Sequence, residues 1–241
     1  MLSKIKNLIL DMDGVLWRGE TPMPGLNEFF DILEQQRINF VLATNNATKT
    51  AVQYTEKLAR FGIRVPPEQI VTAAEATADY LRETYGRGTA VYVVGEPGLH
   101  QALKSRSFDI CSPKAVLHGS VPALVVVGFN RQADYQLLAM ATLAIHKGAR
   151  FIGTNPDVTF PSEIGPMPGA GSLLAFIQSA TDVTPTIVGK PGPIMFQQAL
   201  KRLDGTPANT AMVGDRLNTD IAGAKAAGLP AILVLSGITR R

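Results

Sequence analysis

The sequence predicts an α/β protein: a doubly wound parallel sheet core with a second α/β domain inserted into it. Three observations point there. Short runs such as Leu8-Ile9-Leu10 and Phe40-Val41-Leu42 are apolar throughout, as strands buried on both faces of a parallel sheet are. They alternate along the chain with longer segments of helical periodicity, the rhythm of β/α units. Four of the runs stop abruptly at polar side chains: Asp11 and Asp13; Thr44 and Asn45; Lys190; and Asp215, with Asp220 shortly after. Ligands of open α/β sheets sit beyond the carboxyl ends of the strands, so these stops mark where chemistry is expected.

The chain can be taken in order. Apolar residues run from Ile5 to Leu10 and end at Asp11, and Gly14 lets the backbone turn sharply beside Asp13. Val15–Met23 reads as a loop or small flap. Pro24-Gly25 opens a helix whose apolar residues Leu26, Phe29, Phe30, Ile32 and Leu33 make one buried face. Ile38–Ala43 is the next strand. A helix over Thr50–Phe61 is closed by Gly62. A helical turn at Pro66-Pro67-Glu68 and a short strand at Ile70-Val71 follow.

The middle of the chain has its own α/β pattern. Helices are expected over Ala73–Tyr85, Gly98–Lys104 and Ala133–Lys147, and strands over Ala90–Val94, Ala123–Val127 and Arg150–Gly153. That last strand also ends in polar residues, Thr154-Asn155-Pro156-Asp157. Pro161–Gly171, rich in Gly and Pro, reads as a loop before a helix over Ser172–Ser179. The last third returns to a plain β/α rhythm: a strand at Thr186–Val188, a helix over Pro193–Leu203, a strand at Thr210–Val213, a helix over Asn218–Ala227 and a strand at Ala231–Leu235.

Composition excludes several classes. With 241 residues, 46% apolar and 18% charged, the chain suits a globular protein of one large or two smaller domains. A net charge of +3 without Lys/Arg runs implies no nucleic acid, and would attract an anionic small substrate only weakly. The single cysteine, Cys111, excludes an internal disulfide framework, and no zinc-type pairs occur. There is no apolar run of membrane-spanning length and no signal peptide, so the expectation is a cytoplasmic protein without a membrane partner.

The polar stops combine into one chemistry. A carboxylate can attack phosphorus and hold the phosphoryl group as an acyl-phosphate if the phosphate charge is neutralised. Mg²⁺ takes oxygen ligands and keeps several waters, so two or three carboxylates suffice. A hydroxyl, an amide and a lysine ammonium can bind the remaining phosphoryl oxygens. Singly, each residue has an ordinary reading: Thr44 and Asn45 as helix caps, Lys190 as a loop lysine, Asp215 and Asp220 as helix-terminal carboxylates. Their joint occurrence at successive strand ends favours phosphoryl transfer.

DMDGV at 11–15, the strand ending in TN at 44–45, GKP at 189–191 and GDRLNTD at 214–220 resemble the four motifs of the haloacid dehalogenase-like (HAD) phosphohydrolases. The resemblance implies a Rossmann-like HAD core, with Asp11 as nucleophile and Asp13 as general acid, then base. It implies phosphate binding by Thr44, Asn45 and Lys190. Mg²⁺ would be held by the Asp11 carboxylate, the Asp13 backbone carbonyl and Asp215, with Asp220 a further ligand or a partner of one. Spacing then separates subclasses. Positions 14 to 43, 30 residues between Asp13 and Thr44, leave no room for a cap. Positions 47 to 189 make 143 residues between Asn46 and Lys190, where a plain core needs about three or four dozen. The surplus is expected to form a cap, giving a core of 1–75 and 186–241 with a cap of 76–185. That arrangement is similar to the NagD-like class, which includes nitrophenyl phosphatases, and ATADYL, GARFIGTNPDVTFPSE and PGAGSLLAFI also look like it. By that resemblance Asn155, Pro156 and Asp157 become candidate substrate contacts, and a homodimer through the cap is admitted. The class usually continues beyond Ala231–Leu235 with a further strand and helix, whereas this sequence stops at Thr239-Arg240-Arg241. One sheet edge is therefore expected to be less covered, with no named catalytic residue lost.

The leading expectation is a Mg²⁺-dependent phosphatase acting on a small-molecule phosphate ester. The alternatives are a phosphotransferase using the same intermediate, and a non-catalytic protein of this fold that binds a phosphate ligand.

Overall fold

A computed structural model of the chain describes residues 4–162 and 165–239. Glu163 and Ile164, expected in a loop, and Arg240 and Arg241 at the chain end lie outside the described residues. The chain opens with β1 (Asn7–Leu10), the two-residue strands β2 (Trp17–Arg18) and β3 (Thr21–Pro22), α1 (Leu26–Gln35), β4 (Asn39–Thr44), α2 (Ala51–Arg60) and β5 (Ile70–Thr72). Next come α3 (Ala73–Tyr85), β6 (Ala90–Val94), α4 (Pro97–Ser105), β7 (Asp109–Cys111), α5 (Pro113–Leu117) and β8 (Leu124–Val127). They are followed by α6 (Tyr135–His146), β9 (Arg150–Gly153), β10 (Thr159–Ser162), β11 (Gly165–Pro168), α7 (Ala170–Thr181) and β12 (Thr186–Ile187). The chain ends with α8 (Pro193–Leu203), β13 (Thr210–Gly214), α9 (Ala222–Ala226) and β14 (Ala231–Leu233).

Two compact units result, one within Met1–Thr44, Ala51–Thr72 and Lys190–Arg241, the other Asn45–Thr50 with Ala73–Gly189. The first unit is built on a parallel sheet in the order β14-β13-β1-β4-β5. All four residues of the central strand β1 are buried, which is why Leu8-Ile9-Leu10 is apolar with no alternation, and the buried Asn7 that opens the strand hydrogen-bonds Asn209 and Asn39. The chain winds outward from β1 through β4 to β5, then returns to the other side of β1 with β13 and β14. The strand order therefore reverses at the β1/β13 junction, the position where such sheets bind ligands. Helices α1 and α2 cover one face. Leu26 and Leu33 of α1, with Ala51, Tyr54 and Leu58 of α2, pack around Leu8, Leu10 and Leu42. The buried apolar α2 residues Ala51, Tyr54 and Leu58 recur at helical spacing, which is the signal that makes the segment legible.

The second unit has its own parallel sheet, β12-β9-β8-β6-β7, and its own core around Tyr92, Val125, Val127, Phe151, Leu138 and Ile177. Among the described residues no helix is long and apolar enough to cross a membrane.

The structure corrects three local expectations. Pro161–Gly171 is not all loop: β10 and β11 pair antiparallel, with Pro161 opposite Pro166. Proline is tolerated there because a two-stranded ribbon has only edges, whereas the sequence signal of Gly and Pro reads as a break. Val15–Met23 contains the hairpin of β2 and β3. The helix expected over Asn218–Ala227 starts as a π-helical turn at Leu217–Ile221 and becomes α-helical only at α9. Strand β7 and helix α5, which apolar periodicity did not bring out, complete the second unit.

Candidate active site

Sheet register builds the site. Leu10 of β1 lies opposite Val213 of β13 on one side and Leu42 of β4 on the other. The residues that follow, Asp11, Gly214-Asp215 and Ala43-Thr44, therefore emerge level with one another at one edge of the sheet. The Asp11 amide continues the ladder, donating to the Val213 carbonyl at 2.9 Å, so its side chain leaves the sheet at a fixed point.

Four charged groups meet there. Lys190 follows the strand β12 in sequence and is 2% exposed, and its ammonium donates to Asp11 Oδ1 at 2.5 Å and to the Ala43 carbonyl at 3.2 Å. It also pairs with Asp220 Oδ1 at 2.7 Å. Oxygens of Asp11, Asp215 and Asp220 all lie within 4.8 Å of one another, and all three residues are buried. Burial pushes the Asp11 carboxyl up to about 7; Lys190 opposes this, while the charges of Asp220 and Asp13 add to it. Burial acts to lower the Lys190 pKa, but the adjoining Asp11 and Asp220 charges outweigh it and hold the ammonium protonated.

The donor set fits a divalent cation. Three buried carboxylates face one ammonium, an excess of negative charge that burial makes costly unless a cation offsets it. Asp215 supplies a second sign. Its Oδ2 accepts from the Ile238 amide at 2.6 Å, while its Oδ1 is buried with no hydrogen-bond partner among the described residues. Fully buried polar atoms are nearly always paired, so an unpaired carboxylate oxygen facing two other carboxylates suits a metal ligand. Asp220 is held from the other side by the Arg216 amide, which donates to its Oδ2 at 3.1 Å.

The remaining expected residues are placed as follows. Asp13 is exposed, and its Oδ1 accepts from the Trp17 indole at 2.8 Å. Gly14 has φ +91, and a Cβ there would meet Asp215 Oδ2 at 2.6 Å, so both conformation and proximity require glycine. Thr44 is buried at the end of β4, and its side chain hydrogen-bonds Tyr54. Asn45 belongs to the second unit, where the structure joins it to the other polar strand end. Its Nδ2 donates to Asp157 Oδ2 at 3.2 Å, and its carbonyl accepts from Asn155 Nδ2 at 2.8 Å. Asn155 is buried and its Oδ1 accepts from the Asp157 amide at 3.1 Å, so its side chain is occupied within this turn. Pro156 and Asp157 are partly exposed.

Sequence reasoning missed two groups. One is Trp17, whose indole holds Asp13. The other is the segment after β14: besides the Ile238 amide on Asp215, Ser236 Oγ donates to the Gly14 carbonyl at 2.7 Å, and Arg18 donates to the Ser236 carbonyl. The available signal is a further polar strand end, Ser236-Gly237 after Ala231–Leu235.

Comparison with known proteins shows the family. Residues 8–109 match the family model described as haloacid dehalogenase-like hydrolase, and residues 187–241 match a second described as HAD-hydrolase-like. An acid sugar phosphatase from Staphylococcus aureus is 38% identical over 238 residues, 99% of this chain and 89% of its own. The chain belongs to the haloacid dehalogenase-like hydrolase family. Among solved structures, 4-nitrophenylphosphatase from Thermotoga maritima superposes with a TM-score of 0.91 at 35% identity, over 99% of this chain and 88% of that one. A thermostable nitrophenylphosphatase from Geobacillus stearothermophilus gives 0.90 at 38% identity, over 98% and 91%. The HAD assignment and its NagD-like, nitrophenylphosphatase branch thus agree with the motifs at 11–15, 44–45, 189–191 and 214–220.

Proposed function

We propose that this HAD hydrolase is a Mg²⁺-dependent phosphatase that cleaves small-molecule phosphate monoesters through a phosphoryl group carried on Asp11. Phosphatase chemistry is supported by the family and by the names of its relatives. The observation that carries the finer reading is the meeting of Asp11, Lys190, Asp215 and Asp220 at the end of the central strand. An Asp11 oxygen attacks phosphorus; the new O–P bond forms as the ester P–O bond breaks, and Asp13 gives its proton to the departing alkoxide. Asp13, now a carboxylate, takes a proton from the water that attacks the phosphoryl group, and Asp11 is released. Thr44 and Lys190 bind phosphoryl oxygens, and Asn45, next to Thr44 in the chain, is assigned the same role. Asp11, Asp215 and the Asp13 backbone carbonyl would hold Mg²⁺, with Asp220 as a ligand or a partner of one. Bound there, the cation would offset the repulsion between a carboxylate nucleophile and a phosphate dianion. The second unit is assigned the cap role, with Asp157 as a candidate selector of the ester.

The test is phosphate release from a panel of sugar phosphates, nucleotides, phosphoglycolate, glycerol phosphate and 4-nitrophenyl phosphate, with and without EDTA. Release without any added acceptor alcohol, abolished by EDTA and restored by Mg²⁺, is expected. Full activity in EDTA, or product that appears only with an acceptor, would refute this reading.

A further inference from the structure

Asp13 stands out in the site because it is exposed and yet held. A solvated aspartate beside a glycine turn samples several side-chain rotamers, which suits a surface residue and not a group that must hand over a proton at one atom. Among the described residues only Oδ1 is restrained, and what restrains it is fully buried. The Trp17 indole N–H donates to it at 2.8 Å, and the backbone closes the same loop through the Gly14 amide on the Trp17 carbonyl, also at 2.8 Å. Trp17 has no exposed surface. Its ring stacks on Tyr54 at a centroid separation of 6.3 Å and an angle of 19°, and meets Phe61 at 6.0 Å. The buried Lys57 ammonium sits 4.6 Å from the ring centroid and is itself tied to the Gly19 carbonyl at 2.5 Å and to Glu20 at 3.1 Å. The indole is therefore immobile, and the Asp13 carboxyl inherits its orientation.

We propose that Trp17 is the positioning residue for Asp13: its indole N–H pins Oδ1 and so presents Oδ2 to the ester oxygen of the substrate. The inference rests on the acid–base reading of Asp13 given above. An indole N–H can only donate. Oδ1 must then be an acceptor whether Asp13 is charged or neutral, and the proton of the neutral acid resides on Oδ2. As the Asp11–phosphorus bond forms and the ester bond breaks, that proton passes from Oδ2 to the leaving oxygen, and Oδ1 keeps its bond to Trp17 throughout. The same buried pair also serves the neighbouring strand end, because Tyr54 hydrogen-bonds the Thr44 side chain.

Leaving-group dependence separates this role from a packing role. A nitrophenolate departs with little help from an acid, whereas the alkoxide of a sugar phosphate needs its proton. Trp17→Phe keeps an aromatic ring and deletes the N–H. It is expected to lower kcat/KM for an alkyl or sugar phosphate by at least about tenfold, within the roughly 10²–10⁴ that general acid catalysis contributes. For 4-nitrophenyl phosphate the loss should stay below about threefold. Asp13→Asn should show the same selectivity more strongly, and adding Trp17→Phe to it should change the ester ratio no further. Trp17 is the only tryptophan of the chain, so β-benzothienylalanine can replace it alone, keeping the bicyclic shape without a donor. That variant should reproduce the selectivity if Trp17→Phe folds poorly. Parallel losses on both esters from either variant, or none, while Asp13→Asn remains selective, would overturn the Trp17 assignment alone. Lack of selectivity in Asp13→Asn itself would overturn the acid–base reading and this inference with it.

Discussion

Replacing Lys190 by Met tests the charge arrangement at the centre of the site without reference to turnover. Met matches the lysine stem in length and removes only the ammonium. In the metal-free protein that ammonium is the cation nearest Asp11, at 2.5 Å, and Asp220, at 2.7 Å, with Asp215 alongside. Removing one partner of a buried ion pair costs about 3–5 kcal/mol, because the remaining charge stays buried and unpaired. At about 2–4 °C per kcal/mol for a chain of this size, the melting temperature in EDTA should fall by roughly 6–20 °C. The loss should be largest at neutral pH and above. Asp11 is already raised to about 7 with Lys190 present, and losing the cation raises it further, so lowering the pH protonates Asp11 and shrinks the penalty. Mg²⁺ should close much of the gap, stabilising Lys190→Met more than the wild type, for which 100 times the dissociation constant gives about 2.7 kcal/mol. The assay is thermal unfolding followed by tryptophan fluorescence. The sole tryptophan, Trp17, is in the first unit and so reports that unit alone. Equal stability of the two proteins in EDTA at pH 8 would refute the charge argument, as would a Mg²⁺ shift that is the same for both.

Other outcomes follow from the same contacts. Asp11→Asn cannot act as nucleophile, and phosphate release should fall by several orders of magnitude while the melting temperature in EDTA is kept or raised; a tenth of wild-type turnover would exclude the covalent route. Gly237→Ala would drive a Cβ into the Asp215 carboxylate, so calorimetric Mg²⁺ affinity should drop by about tenfold or more, as seen when groups orienting a metal ligand are disturbed. Asn155→Ala should lower the melting temperature and affect all esters alike, since it removes the 2.8 Å bond to the Asn45 carbonyl, a contribution of about 0.5–1.5 kcal/mol. Asp157→Ala should instead re-rank the esters; a uniform loss would leave Asp157 a turn residue only.

Much of the first unit was legible because its signals are local. Buried parallel strands are uniformly apolar, α1 and α2 repeat at helical spacing, and each catalytic candidate stands where an apolar run stops. Helix Pro193–Leu203 and helix Ala73–Tyr85 have the same bounds in sequence and structure. The misses fall where local chemistry and pairing disagree. The β10–β11 ribbon tolerates prolines that a sheet interior would reject, and β7 and α5 are too short for either period to show. The π-helical turn after Asp215 has the composition of an ordinary helix start. What selects it is tertiary: Asp220 must face both Lys190 and the Arg216 amide.

The candidate site was legible as a set of residues and illegible as a set of bonds, for a physical reason. A strand end says that a side chain leaves the sheet, but register decides whom it meets. Lys190 and Asp11 are 179 residues apart in sequence, and Ser236 and Gly14 are 222 apart. No periodicity connects such positions. Only the strand order β14-β13-β1, with Leu10 level with Val213 and Val213 level with Ile232, brings the segment after β14 over the turn after β1. Once it is there, Ile238 occupies one oxygen of Asp215, Gly237 gives the room to do so, and the other oxygen has no hydrogen-bond partner among the described residues. A stretch that reads as trailing polar residues thereby orients a carboxylate of the proposed metal site, and strand order, not composition, gives it that task.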